Sequence, residues 1–260
     1  MSQEDDHLER IRRQFGRQAE VYARMRQTTD QASLQGLVVL SGADSDSQVL
    51  DVACGPGFLT MAFAARCRRA IGLDATEQFL AMARLEAAHR GLHNVAFESG
   101  DAEHLPFGAG EFDVACCRAA VHHFQHPERI IAEMARVTAS AGRIVIADFL
   151  SSSDPEKSAY HNHVERLCDP THVRALTAAE FAAVFAAGRL HVNFQTEVTY
   201  DYELEEWIAH GGPDAATAAQ IRELMEASIE TDRCGLRVRR QDGRVWFTHR
   251  AAAFVLQHAA

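Results

Sequence analysis

From Gln48 to Phe149 the chain alternates short β-patterned runs with helical ones, joined by brief connections. Such alternation specifies βαβ units and a mostly parallel sheet with helices on both faces. The first strand reads Gln48 to Ala53, followed by a glycine turn and an Ala-rich helix near Phe58 to Cys67. A second strand, Ala70 to Leu73, ends at Asp74; Thr76 is placed to cap the next helix and Gly91 to end it. Val95 to Phe97 and Phe112 to Cys117 read as the third and fourth strands. Pro127 opens a helix striped by Ile130, Ile131, Met134 and Val137. Gly142 ends that unit, and Arg143 to Phe149 reads as a fifth, buried strand.

Outside this stretch the rhythm changes. Residues 1–40 are helical with scattered apolar anchors, and Ser41 to Ser47 is a turn-rich linker. Residues 150–176 break the alternation with a Ser-rich start and a His- and Asp-bearing sequel. Thr177 and Glu180 have capping-box spacing before another helix, His191 to Tyr200 alternates as a strand, and Val245 to Leu256 closes the chain as another. Between them, Glu203 to about Arg233 reads as mostly helical, with a break at Gly211-Gly212-Pro213. At 260 residues, one elaborated domain fits better than two independent folds. The expected layout is a single domain over 1–260. In it 1–40 is a helical cover, 45–150 the core, 151–176 and 200–243 lid segments, and 177–199 and 244–260 the closing helix and strands.

Charge narrows the partners. Lys and Arg number 26 against 36 Asp and Glu, a formal net charge of −10. Binding a polyanion calls for a basic excess or stripe, so no nucleic-acid partner is expected. The basic run from Arg233 to Arg244 reads as a solvated segment. No apolar run approaches the ~20 residues that span a bilayer, and the first residues, MSQEDDHLERIRR, lack the apolar core of a signal peptide. A cytoplasmic location without membrane insertion is the expectation, with the six cysteines as reduced thiols.

The chemistry begins at Asp51-Val-Ala-Cys-Gly-Pro-Gly57. A strand leads into this turn and a helix follows, the context in which Gly55 and Gly57 let a ligand approach the backbone. Two ligand types suit such a turn: a dinucleotide pyrophosphate, or the methionyl and ribosyl parts of S-adenosylmethionine (SAM). The third glycine of the dinucleotide fingerprint falls on Thr60, and Pro56 removes an N–H that a phosphate cradle would use. Asp74, 19 positions after Gly55, is spaced to accept hydrogen bonds from ribose hydroxyls. Farther on, Gly100-Asp-Ala-Glu-His-Leu-Pro-Phe107 offers a carboxylate and backbone N–H groups able to bracket an adenine.

Taken in order, DVACGPG, IGLDA, GDAEHLPF, EFDVACCRAAVHHF and the helix before GRIVIADF resemble a class I SAM-dependent methyltransferase. The closest flavour is the ubiquinone/menaquinone-biosynthesis C-methyltransferase-like group (methyltransferase domain 11). The resemblance covers residues 48–150, and the stretch Glu165 to Arg174 resembles one in bacterial members of that group. It implies an α/β Rossmann-like fold with a mostly parallel seven-stranded sheet, one terminal strand reversed, helices on both faces and a small helical lid. It also implies SAM as cofactor, bound across the carboxyl ends of the first strands. Carried over by residue, Asp51, Ala53, Gly55 and Gly57 lie at the methionyl side, Asp74 and Ala75 at the ribose, and Asp101, Ala102 and Glu103 at the adenine. Arg118 lies beside the donor, and Gln18 and Tyr22 cover the cofactor. The family's first turn glycine is Ala53 here, which narrows the approach to the methionine end.

A sulfonium methyl is already activated, so catalysis rests mainly on aligning donor and acceptor for in-line SN2 attack and on excluding water. The expected acceptor is a small molecule. A base is needed only for a hydroxyl, a carbon acid or a protonated amine, and His122 and His123 after the fourth strand are the candidates. No metal is expected: His161 and His163 diverge on a helix, and the chance of His163, Asp169 and His172 converging is supported by no ligand-type spacing. The competing readings are a SAM-binding sensor or scaffold without turnover and, behind it, a nicotinamide-dependent oxidoreductase.

Overall fold

A computed structural model describes residues 3–22 and 29–259, the side chains of residues 3–5 and 20–22 excepted. Its centre is a sheet in the order β3-β2-β1-β4-β5-β8-β6, with one further short strand, β7, paired to β8. The strands are β1 (Gln48–Val52), β2 (Arg69–Asp74), β3 (Val95–Ser99), β4 (Phe112–Arg118), β5 (Thr138–Leu150), β6 (Leu190–Glu203), β7 (Arg239–Gln241) and β8 (Arg244–His258). The first five run parallel, and β8 runs antiparallel to both β5 and β6. Between β1 and β4 the strand order changes direction, which opens a crevice at the carboxyl ends of those strands.

The central strands are buried on both faces: in β1 every residue but Gln48 is covered. One face is closed by α5 (Pro127–Val137) and α7 (Ala178–Ala187), whose Ile130, Ile131, Met134, Phe181 and Phe185 join the strand residues Leu50, Ile71, Ala115 and Phe254. On the other, α2 (Gln31–Ser41) and α3 (Phe58–Phe63) bring Leu34, Val38, Leu59 and Phe63 onto Val49, Val114 and Val145. Beside them α4 (Glu77–His89) packs on β3. A separate apolar cluster joins α6 (Pro155–Cys168), α8 (Leu204–Gly211), α9 (Ala215–Glu226) and the far end of β8 through Val164, Ile208, Ile221, Met225 and Phe247. The two segments read as lid from sequence thus share one core.

Several boundaries differ from expectation. The helix after the glycine turn ends at Phe63, and β5 starts at Thr138, directly from α5, with a bulge where it joins β4. Gly142 lies inside that strand, where a Cβ would come within 2.7 Å of the Asp113 carbonyl. Residues 155–168 form a helix, capped by the Asp154 carboxylate. The strand β7 arises from the basic run read as solvated. Asp242 and Gly243 both take positive φ, the two-residue hairpin turn that Asp-Gly favours. Among the described residues no helix is long and apolar enough to cross a membrane.

Candidate active site

Two cavities open at the carboxyl ends of the central strands. The first, about 230 Å³, is bounded by the glycine turn, the end of β2, the loop after β3 and the helix α1 (Gln3–Tyr22). Asp51, Ala53, Gly55, Asp74, Ala75, Asp101, Ala102, Glu103 and Arg118 all line it. Gly57 does not: its φ is +74°, and a Cβ there would stand 2.4 Å from the Phe97 ring, so it serves close packing of the turn. Gly55, by contrast, has φ +53° and nothing within 4 Å of a Cβ position, leaving its surroundings open for a ligand.

The turn is tied to β2. The Asp74 carboxylate accepts the Gly55 N–H and the Thr76 N–H, each at 2.8 Å. Thr76 is the cap residue of α4, yet its side chain makes no capping bond; Asp74 accepts the N–H of Thr76 itself, just ahead of the helix. A carboxylate has about four acceptor sites, so two such bonds leave room for ligand hydroxyls. Burial raises the Asp74 pKa above the usual carboxylate value, and the backbone N–H groups only partly offset it. Asp51 accepts from Thr60 Oγ1 at 2.6 Å and from Cys116 Sγ, yet burial lifts its pKa to about 6. Ala53 sits at φ +55°, a left-handed conformation that costs a residue with a Cβ roughly 1–2 kcal/mol. Asp101 turns its carboxylate onto the Glu103 N–H at 2.9 Å, and Glu103 pairs with Arg129 at 3.1 Å.

The second cavity, about 520 Å³, extends from β4 towards α6, α8, β6 and β8. Phe15, Arg118, Ala119 and His123 line both cavities, so they meet at one shared wall. Gln18 stands in the second cavity rather than the first, its amide donating to the Gly211 carbonyl at 2.6 Å. The side chain of Tyr22 lies outside the described residues.

The two adjacent histidines have opposite surroundings. His122 Nδ1 is 2.6 Å from Asp148 Oδ1, and the ring borders the second cavity. Burial works against its protonation, but the Asp148 carboxylate outweighs that and its pKa is raised. Asp148 is fully buried; the His122 partnership overcomes its own desolvation and lowers its pKa. His123 is pushed down to about 4 by burial and by its neighbour His122, and its Nδ1 lies 3.2 Å from Thr171 Oγ1. His163, Asp169 and His172 do not converge. His163 is exposed, Asp169 is turned onto Thr171, and His172 Nε2 meets Asn162 Oδ1 at 2.8 Å.

A strand-order reversal with a glycine turn, acids after successive strands and an adjoining second cavity defines a nucleotide-type cofactor enzyme. Comparison with known proteins makes the class specific. Residues 50–146 match the family described as methyltransferase domain. Over 207 residues the chain is 32% identical to the uncharacterized methyltransferase YcgJ of Bacillus subtilis (strain 168), covering 80% of this chain and 82% of that one. The crystal structure of the YcgJ protein superposes with a TM-score of 0.83 at 30% identity, over 88% of this chain and 99% of that one. A ubiquinone/menaquinone biosynthesis C-methyltransferase, UbiE of Bdellovibrio bacteriovorus, is 32% identical over 128 residues, 48% of this chain and 54% of that protein. The chain belongs to the methyltransferase domain family, and it is a SAM-dependent methyltransferase of class I fold. The open backbone at Gly55 and the acids around it fit SAM, whose ammonium and ribose call for acceptors.

Proposed function

We propose that the chain methylates a small organic acceptor held in the second cavity. The observation that supports this most is the shared wall of Phe15, Arg118, Ala119 and His123, where the two cavities adjoin. When bound, SAM supplies a methyl group already activated on sulfur. Asp51, Ala53 and Gly55 would hold its methionyl side, Asp74 and Ala75 its ribose, and Asp101, Ala102 and Glu103 its adenine. Arg118 lies beside the transfer path, and helix α1, together with the α6–α9 segments, closes the site as cover and lid. Aligning the acceptor for in-line attack and excluding water are then the main contributions of the protein.

For acceptors that must lose a proton, His122 is the better base of the two histidines. Asp148 holds the Nδ1 proton and leaves Nε2 to receive one, the same division of labour as in a His–Asp pair of a hydrolase. His123, at about 4, is too weakly basic for that task and serves as wall. The test is incubation of the enzyme with methyl-labelled SAM and a fractionated metabolite extract. Label is expected in a low-mass product. If SAM binds but no small-molecule fraction becomes labelled, the proposal fails.

A further inference from the structure

On the far side of the second cavity, α6 and β8 bring three ligating side chains together. His161 and Glu165 stand four apart on α6, hence on one face, and His249 projects from β8. Glu165 Oε1 is 3.4 Å from His161 Nε2 and 3.0 Å from His249 Nε2. One donor atom from each of the three lies within 4.8 Å of the other two. The histidine side chains are 1% and 2% exposed, yet the facing atoms His161 Nε2 and Glu165 Oε1 make no hydrogen bond. Buried polar atoms are normally satisfied, so two facing orphans in one cluster call for a physical reason.

The other ring nitrogen of His161 supplies one. Ser151 Oγ donates to Ser158 Oγ at 2.8 Å and so accepts from His161 Nδ1 at 3.4 Å. His161 Nε2 then presents a lone pair towards a carboxylate oxygen. Two acceptors face each other across a gap that only a positive charge makes favourable. Donor atoms bound about 2.1 Å from one ion lie about 3.0–3.4 Å apart at octahedral or tetrahedral angles, which matches the two contacts of Glu165. An acceptor that fixes the remote nitrogen orients a ligating histidine, and here the Ser151 hydroxyl takes that place.

We propose that His161, Glu165 and His249 bind one divalent first-row transition ion, of the Zn²⁺ or Fe²⁺ kind. Two imidazoles and one carboxylate suit those ions, whereas Mg²⁺ and Ca²⁺ prefer oxygen ligands alone. Three protein ligands leave coordination positions open. Glu165 and His249 also line the second cavity, so the open positions face it. Where that cavity holds the acceptor, a point that rests on the preceding proposal, the site selects acceptors with an oxygen donor able to reach the ion.

The test needs no turnover. Chelator-treated protein is titrated with Zn²⁺ by calorimetry in the presence of a competing chelator, and Co²⁺ loading is followed by visible absorption. One Zn²⁺ per chain is expected at micromolar Kd or tighter, with an ordered Co²⁺ d–d spectrum and no binding of Mg²⁺. Glu165→Gln and His249→Asn should each weaken Zn²⁺ by at least about tenfold. His163→Ala, on an exposed position of the same helix, should leave it unchanged. Circular dichroism and SAM titration of each variant establish that it is folded. Absence of stoichiometric Zn²⁺ binding overturns the site, as does binding that survives both ligand substitutions in folded protein. Since SAM binding is read separately, loss of the metal site leaves the methyl-transfer proposal standing, and failure of the latter leaves this one.

Discussion

Asp74 does two jobs with one carboxylate. It holds the glycine turn through Gly55 and fixes Thr76, the residue before α4, and it borders the first cavity. Asp74→Ala should therefore weaken SAM by more than about 1 kcal/mol, roughly fivefold, as measured by calorimetry. Unchanged affinity would remove it from the ribose role. His122 and Asp148 give a pH signature. A base must be unprotonated, and the His122 pKa is raised above the ordinary 6.5, so kcat should rise with pH through a midpoint above that value. Asp148→Asn removes the charge that raises it. The limb should move to lower pH while kcat falls by roughly 10²–10⁴; an unshifted profile would dismiss His122 as base. The stability contributions have opposite signs. That of His122 is present at low pH and lost as pH rises through its raised pKa; that of Asp148 is present above the ordinary carboxylate range and lost as pH falls through its depressed one. Asp51, Gly55 and Asp74, which line the first cavity, were legible in sequence because each lies at or near the end of a strand at a fixed local spacing. Glu165 and His249 were not, because two distant segments make that cluster and neither carries a signature alone.

Among the elements, α7 matches its reading through its cap, whereas the Thr76 side chain makes no capping bond and Gly142 lies inside β5. In α7 the Thr177 side chain accepts the Glu180 N–H while Glu180 reaches back to the Thr177 N–H, the reciprocal pair expected from the spacing. Thr177→Ala should cost about 1 kcal/mol in urea unfolding, because one buried-end donor loses its acceptor. A shift below a few tenths would show the cap to be redundant with packing through Phe181 and Phe185. Elements shaped by tertiary pairing were less legible. The run read as solvated hides β7, because a three-residue Arg-Arg-Gln strand has no hydrophobic alternation to announce it. Likewise α6 buries Ser158, His161 and Asn162 beside Val164, a polar inner face that no apolar periodicity reveals. Its polar side chains bond neighbouring segments instead: Ser158 accepts from Ser151 Oγ, and Asn162 Oδ1 accepts the Ala175 N–H and meets His172.

For the molecule as a whole, helix α1 decides how binding and stability are coupled. Its links to the rest run through the site: His7 Nε2 to the His123 carbonyl at 2.8 Å, Arg12 to the Ala75 carbonyl at 3.2 Å, and Gln18 to the Gly211 carbonyl at 2.6 Å. Phe15 adds an edge contact with the His123 ring, centroids 5.1 Å apart. Of its described side chains only His7 and Ala19 are buried, so α1 has little apolar anchorage of its own. An element held mainly by polar contacts around a ligand cavity belongs to the low-stability end of a fold and gains most from ligand. The net charge of −10 also favours a cationic ligand over an anionic one. At a hundredfold excess over Kd, SAM should add about 2.7 kcal/mol, or about 5–10 °C in Tm for a chain of this size. NAD⁺ should add nothing. In hydrogen exchange, the amides of α1 should gain more protection from SAM than those of β1, β4 and β5, whose exchange already needs global opening. Protection spread evenly over sheet and helix would mean that α1 is docked independently of the cofactor, and its role as cover would fall.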